Sequence, residues 1–195
     1  MTESTPFAAW ESFYVIVGSS AGALTGLQFV VMALIAESWP RNSEKEVAAF
    51  GTPTIVHFCS ALLVSAILSA PWPSVGGARG TLAVLGIAGV AYGIVTTLRA
   101  RRTMIYQPVF EDWLWHSILP TIAYTAIAIA GCALGLETET GMFAIAGATV
   151  LLLFVGIHNA WDTATYVTIS AAAARERERV STSASPSPPT SEPSP

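Results

Sequence analysis

The chain has 195 residues, of which 52% are hydrophobic and only 11% charged, and it carries a net charge of −4 at pH 7. A soluble domain is nearer a quarter charged. The nine Lys and Arg residues are scattered over short connections and form no basic face, which excludes nucleic acid as a partner.

Charge is missing in blocks. Residues 12–36, 47–78, 80–98, 113–136 and 140–161 contain no Asp, Glu, Lys or Arg, and about 20 predominantly apolar residues suffice to cross a bilayer. The predicted fold class is therefore all-α: a polytopic membrane protein built as a bundle of five transmembrane helices. These occupy residues 1–174 as one domain, and the lipid bilayer is the first partner implied. Met1 to Trp10 lacks Lys and Arg, so it does not read as a cleaved signal peptide, and the first apolar run is expected to be a retained helix.

Helix 1 is predicted at about 12–36. Gly18, Gly22 and Gly26 recur every four residues and predict a packing face that lets another helix approach closely. Gly18-Ser19-Ser20-Ala21-Gly22 also matches GxSxG, but a nucleophile elbow needs a preceding strand, and here an apolar helix surrounds the serine. The connection from Glu37 to Gly51 has room for a short surface helix. Pro53 and Thr54 open helix 2, predicted at about 54–70, with His57 near its start. Pro71-Trp72-Pro73 and Gly76-Gly77 predict an irregular loop. Helix 3, about 81–98, carries Gly86, Gly89 and Gly93 as further small packing positions and ends in Arg99, Arg101 and Arg102.

Helix 4 is predicted at about 113–135, capped by Asp112, with Trp113 and Trp115 in an interfacial belt. Pro120 removes the hydrogen bond to the His116 carbonyl, so a kink is expected there. Helix 5 is predicted at about 142–169 and continues toward Ala174, beyond membrane thickness. Residues 175–195 begin with alternating Arg and Glu, become Ser-, Thr- and Pro-rich from Ser181, and read as a disordered cytoplasmic tail. Cys59 and Cys132 each sit in an apolar run, at opposite ends of the membrane, and read as reduced packing residues.

Five spans place the termini on opposite sides. The 37–52 and 99–112 connections and the tail hold eight of the nine basic residues, and Arg79 is alone on the other side. The positive-inside rule then puts the N-terminus outside and the C-terminus in the cytoplasm of a cell membrane. His57, His116 and His158 all fall at the cytoplasmic ends of their helices. Helices 4 and 5 are antiparallel about a loop near residue 138, so Asp112-x-x-x-His116 and His158-x-x-x-Asp162 lie at one level, and His57 joins them if helix 2 is adjacent.

Three readings of this cluster follow. In the first, Asp112 caps a helix, the histidines sit among headgroups, and Asp162 pairs with an arginine of the 99–102 group. In the second, Asp112, His116, His158, Asp162 and His57 ligate a divalent transition metal such as zinc, because neutral imidazole and carboxylate at i, i+4 on facing helices suit such an ion. In the third, the cluster serves a lipid headgroup, a proton or a solute. Ser20 lies far from all three histidines along the membrane normal, which argues against a Ser–His dyad.

The lead Trp10-Glu11-Ser12-Phe13, the stretch Ala23-Leu24-Thr25-Gly26-Leu27-Gln28-Phe29-Val30 and the closing Gly156-Ile157-His158-Asn159-Ala160-Trp161-Asp162 resemble the pattern of a family of small bacterial integral membrane proteins. The resemblance implies a bacterial inner-membrane location and brings no established activity and no functional residue with it. Two function classes stand. One is a membrane protein that acts by association with a membrane-protein partner, a second copy of itself or lipid. The other is a metal-dependent intramembrane enzyme or small transporter using the His/Asp cluster.

Overall fold

In a computed structural model the described residues are 7–38, 44–103 and 110–184. They are helical almost throughout, and five helices are long and apolar enough to cross a membrane. A short 3-10 turn, Ala8–Trp10, leads into α1, Glu11–Ser38; α2 is Glu44–Ser69, α3 is Val75–Thr103, α4 is Phe110–Ala133 and α5 is Thr138–Ala184. The protein is a multi-pass membrane protein built as a five-helix bundle. Inside a bilayer only intrahelical bonding satisfies the backbone of such a segment. The hydroxyls follow the same rule: Thr25, Ser65, Thr149 and Thr163 each donate to the carbonyl one turn back.

The helix α5 packs between α2 and α4, α1 lies against α2, and α3 lies against α4. The larger apolar core joins Tyr14, Val64, Leu68, Leu82, Tyr124, Ile127, Leu134, Ile145 and Leu152. A smaller cluster of Val17, Ala21, Phe58, Ala61 and Leu153 fills the junction of α1, α2 and α5. Val15, Ile16 and Phe29 on α1 and Val84, Ile87 and Ile94 on α3 are exposed, as lipid-facing side chains are.

The helices overrun the predicted bounds. α2 begins at Glu44, not at Pro53, and carries Pro53 in its interior; the run Glu44-Lys45-Glu46-Val47-Ala48-Ala49 contains enough strong helix formers to begin the helix ahead of the proline. Asp112 lies within the first turn of α4, whose first residue is Phe110, so it faces the helix dipole without being the cap residue. α5 reaches Ala184, over the first ten residues assigned to the tail. Ala171 to Ala174 and the Arg/Glu alternation are helix-favouring, and Arg179 pairs with Glu176 at i, i+3. Residues 185–195 lie outside the described residues, as does Arg41. α4 ends in the turn at Gly135, whose φ of 102° favours glycine.

The glycine stripe of α1 is only partly a packing face. A Cβ on Gly18 would stand 2.9 Å from Ser65 Cβ on α2, whereas Gly22 and Gly26 have nothing within 4 Å of that position. Four residues turn an α-helix about 40° past a full revolution, so a stripe of period four rotates off a straight partner within two steps. The tight glycines lie elsewhere. Gly86 meets the backbone of Ala128, Gly89 the ring of Tyr124, Gly131 the backbone of Ala83, and Gly156 the ring of Phe58. Cys59 and Cys132 are free thiols, and both are exposed instead of packed inside.

Candidate functional site at the histidine end

Pro120 shapes the start of α4. Without its N–H the α-helical ladder is interrupted at His116, and the chain responds with a π-helical turn, Leu114–Ile118, in which the N–H of Leu119 reaches back to the carbonyl of Leu114. Such a turn re-aims the side chains on it. Trp115, not His116, comes to face α5: its ring lies on the imidazole of His158, with centroids 3.8 Å apart and planes 18° apart. The equal depth of the two helix ends is as the sequence requires, but a displacement of one residue swings a helical side chain by about 100°, and the tryptophan takes the place expected for the histidine.

His158 is held from two sides. Its Nε2–H donates to Asp162 Oδ2 at 3.0 Å, one turn along the same helix, with the two side chains 25% and 52% exposed. Asp162 therefore has His158 as a partner on its own helix, and the side chains of Arg101 and Arg102, offered by the sequence as its partners, lie outside the described residues. His116 donates from Nδ1 to the backbone carbonyl of Asp112 at 3.2 Å.

His57 is buried to 3% exposure and belongs to a different group. Its Nδ1 is 3.0 Å from the hydroxyl of Tyr124, which is also 2.9 Å from Ser60 Oγ. Ser60 in turn donates to the carbonyl of Val56 at 2.8 Å. The Tyr124 hydroxyl thus ties α4 to α2 inside the bundle. Of the five residues predicted as ligands, Asp112, His116, His158, Asp162 and His57, the three histidines have separate partners: the backbone carbonyl of Asp112 for His116, the Asp162 carboxylate for His158 and the Tyr124 hydroxyl for His57. Among the described residues no group of three or more His, Cys, Asp or Glu is arranged to hold a metal ion. Ser20 is exposed and donates to the carbonyl of Ile16, away from any histidine partner.

Four further polar residues matter at this end, and their roles do not show in the sequence pattern: Gln28, Ser60, Tyr124 and Asn159. Gln28 and Asn159 are 3% and 1% exposed. Their signal in the sequence is weak but real, since each is an amide inside a charge-free apolar run. A groove of 720 Å³, lined by Trp10, Phe13, Met142, Phe143 and neighbours, opens at the opposite end of the bundle.

The stack makes a prediction. Trp115→Ala and His158→Ala remove the same contact, so the double variant is expected to lose less stability than the sum, by about 0.5–1.5 kcal/mol for an aromatic pair in contact. His116→Ala and His158→Ala are expected to be additive. Thermal midpoints of the four proteins in detergent decide it, and coupling of His158 to His116 in place of Trp115 would show the pairing to be wrong.

Comparison with protein-family models, with curated proteins and with solved structures returns no match.

Proposed function

We propose that this protein acts by association within the membrane, with α5 as the element that meets a membrane-protein partner or lipid headgroups. The observation that carries this reading is the length of α5. Its 47 residues extend roughly 70 Å at ~1.5 Å per residue, more than twice the ~30 Å hydrocarbon core. Beyond Ala160 none of its described side chains is buried, and Trp161, Tyr166, Ile169 and Val180 are exposed. Large apolar side chains on a helix that has left the bilayer are features of an interaction surface. The charge distribution supports placing this extension in the cytoplasm and the N-terminus outside a bacterial inner membrane, in keeping with the family that the chain resembles. The alternative, a metal-dependent enzyme or small transporter, rested on convergence of the His/Asp cluster, and the separate partners of the three histidines give it no support.

The test uses photo-crosslinking residues at Ile169 and, as a lipid-facing control, at Ile129, in intact cells. A discrete adduct of fixed mass at Ile169 that is absent at Ile129 is expected, and a protease added outside should leave its tail intact. The same diffuse lipid adducts at both positions would overturn the reading. Cleavage of the tail from outside would overturn the orientation.

A further inference from the structure

Five buried side-chain atoms among the described residues have no hydrogen-bond partner: Tyr14 Oη, Gln28 Nε2, His57 Nε2, and both Nδ2 and Oδ1 of Asn159. Four of the five belong to three residues of the histidine end, which the helix register brings to nearly one level. The close approach of Gly18 to Ser65 sets the antiparallel register of α1 on α2, and the approach of Gly156 to Phe58 sets that of α5 on α2. Counting along each helix from those points, Gln28 and Asn159 both reach the level of Thr54 and Ile55, with His57 less than a turn away. The same placement follows from the small apolar cluster. Gln28 lies seven residues beyond Ala21, Thr54 four residues before Phe58, and Asn159 six beyond Leu153, all on the side of the cluster toward the histidine end. Thr54 is fully buried as well.

A buried amide left without partners costs about 1–3 kcal/mol per group, and native proteins meet that cost with ordered water where the site is polar. Three such residues on three different helices at one level are unlike the isolated exceptions found in ordinary cores. The groups are two carboxamides, an imidazole and a hydroxyl, without a carboxylate, ammonium or guanidinium among them. They offer hydrogen bonds of both senses to an uncharged ligand and no neutralising charge to an ion. The interface is close, since His158, the residue before Asn159, is already partly exposed.

We propose that Gln28, Thr54, His57 and Asn159 line a hydrated site between α1, α2 and α5, whose waters bond the Asn159 and Gln28 amides and the Nε2 of His57. Through His57 the site continues into the Tyr124 hydroxyl and Ser60. An imidazole sealed by its burial thereby gains contact with water at the histidine end. This inference is independent of the association proposed for α5.

The test is water-to-protein polarisation transfer by solid-state NMR, on the full ¹⁵N,¹³C-labelled chain in vesicles of phosphatidylethanolamine and phosphatidylglycerol. The His57 signals are identified by their loss in His57→Gln. Expected is a build-up from water at the His57 ring nearly as fast as at the partly exposed His116 and His158, slowed several-fold by Asn159→Leu. Should Asn159→Leu not fold, Gln28→Leu gives the same reading. A build-up at His57 as slow as that of the buried Leu152 amide would overturn the proposal. So would a fast build-up that neither substitution changes, since the water would then reach His57 without these residues.

Discussion

Gly86→Leu is expected to abolish accumulation of the folded protein, while Gly22→Leu and Gly26→Leu leave it unchanged. At Gly86 even a methyl group would run into the backbone nitrogen and Cα of Ala128 on α4. A backbone held in a helix cannot yield as the end of a side chain can, so α3 and α4 would have to separate. Overpacking commonly costs about 1–3 kcal/mol, and more where the obstacle cannot move. That is a large part of the ~5–15 kcal/mol by which a folded domain is stable. At Gly22 and Gly26 an added Cβ meets nothing within 4 Å among the described residues, which leaves the side chain room to extend. Yield of monodisperse protein and thermal midpoint in one detergent read the contrast. Equal tolerance at Gly86 and Gly22 would show that α3 and α4 are not in contact there. Loss at Gly22 alone would mean that this part of α1 is covered by another molecule.

Tyr124→Phe is expected to destabilise the bundle by about 1–3 kcal/mol, the cost of leaving a buried polar group without its partner. The phenyl ring still fills the space against Gly89, so packing is preserved and the loss is that of the hydroxyl. His57 then loses the bond at Nδ1, while Ser60 keeps its bond to the Val56 carbonyl. His116→Ala serves as the comparison. Its Nδ1 bonds a carbonyl of its own first turn, in an exposed setting, and a change within about 0.5 kcal/mol is expected. Equal effects of the two substitutions on the thermal midpoint would mean that the Tyr124 hydroxyl does not tie α2 to α4.

Much of the architecture was legible without coordinates because a bilayer imposes one-dimensional rules. Charge-free runs of membrane length become helices, so five runs gave five spans. Pro120 foretold a disturbance at His116, and the π-helical turn is that disturbance. The level of His116 and His158 followed from counting residues along two antiparallel helices. Each of these conclusions needs only distance along the chain.

Rotation about the helix axis is the quantity that counting along the chain leaves open, and the tertiary structure decided it. The π-helical turn sends Trp115 to His158 and leaves His116 with its own backbone. An arrangement of five metal ligands drawn from spacing therefore becomes a ring stack, an intrahelical pair and a buried hydrogen-bond network. Rotation also separates Gly18, which packs, from Gly22 and Gly26, which do not. In a nearly uniform apolar helix the hydrophobic pattern does not mark which face turns inward, since lipid and protein interior are alike in polarity. The inward face is set by which backbones can approach one another, and that is a property of pairs of helices that no single run of residues displays.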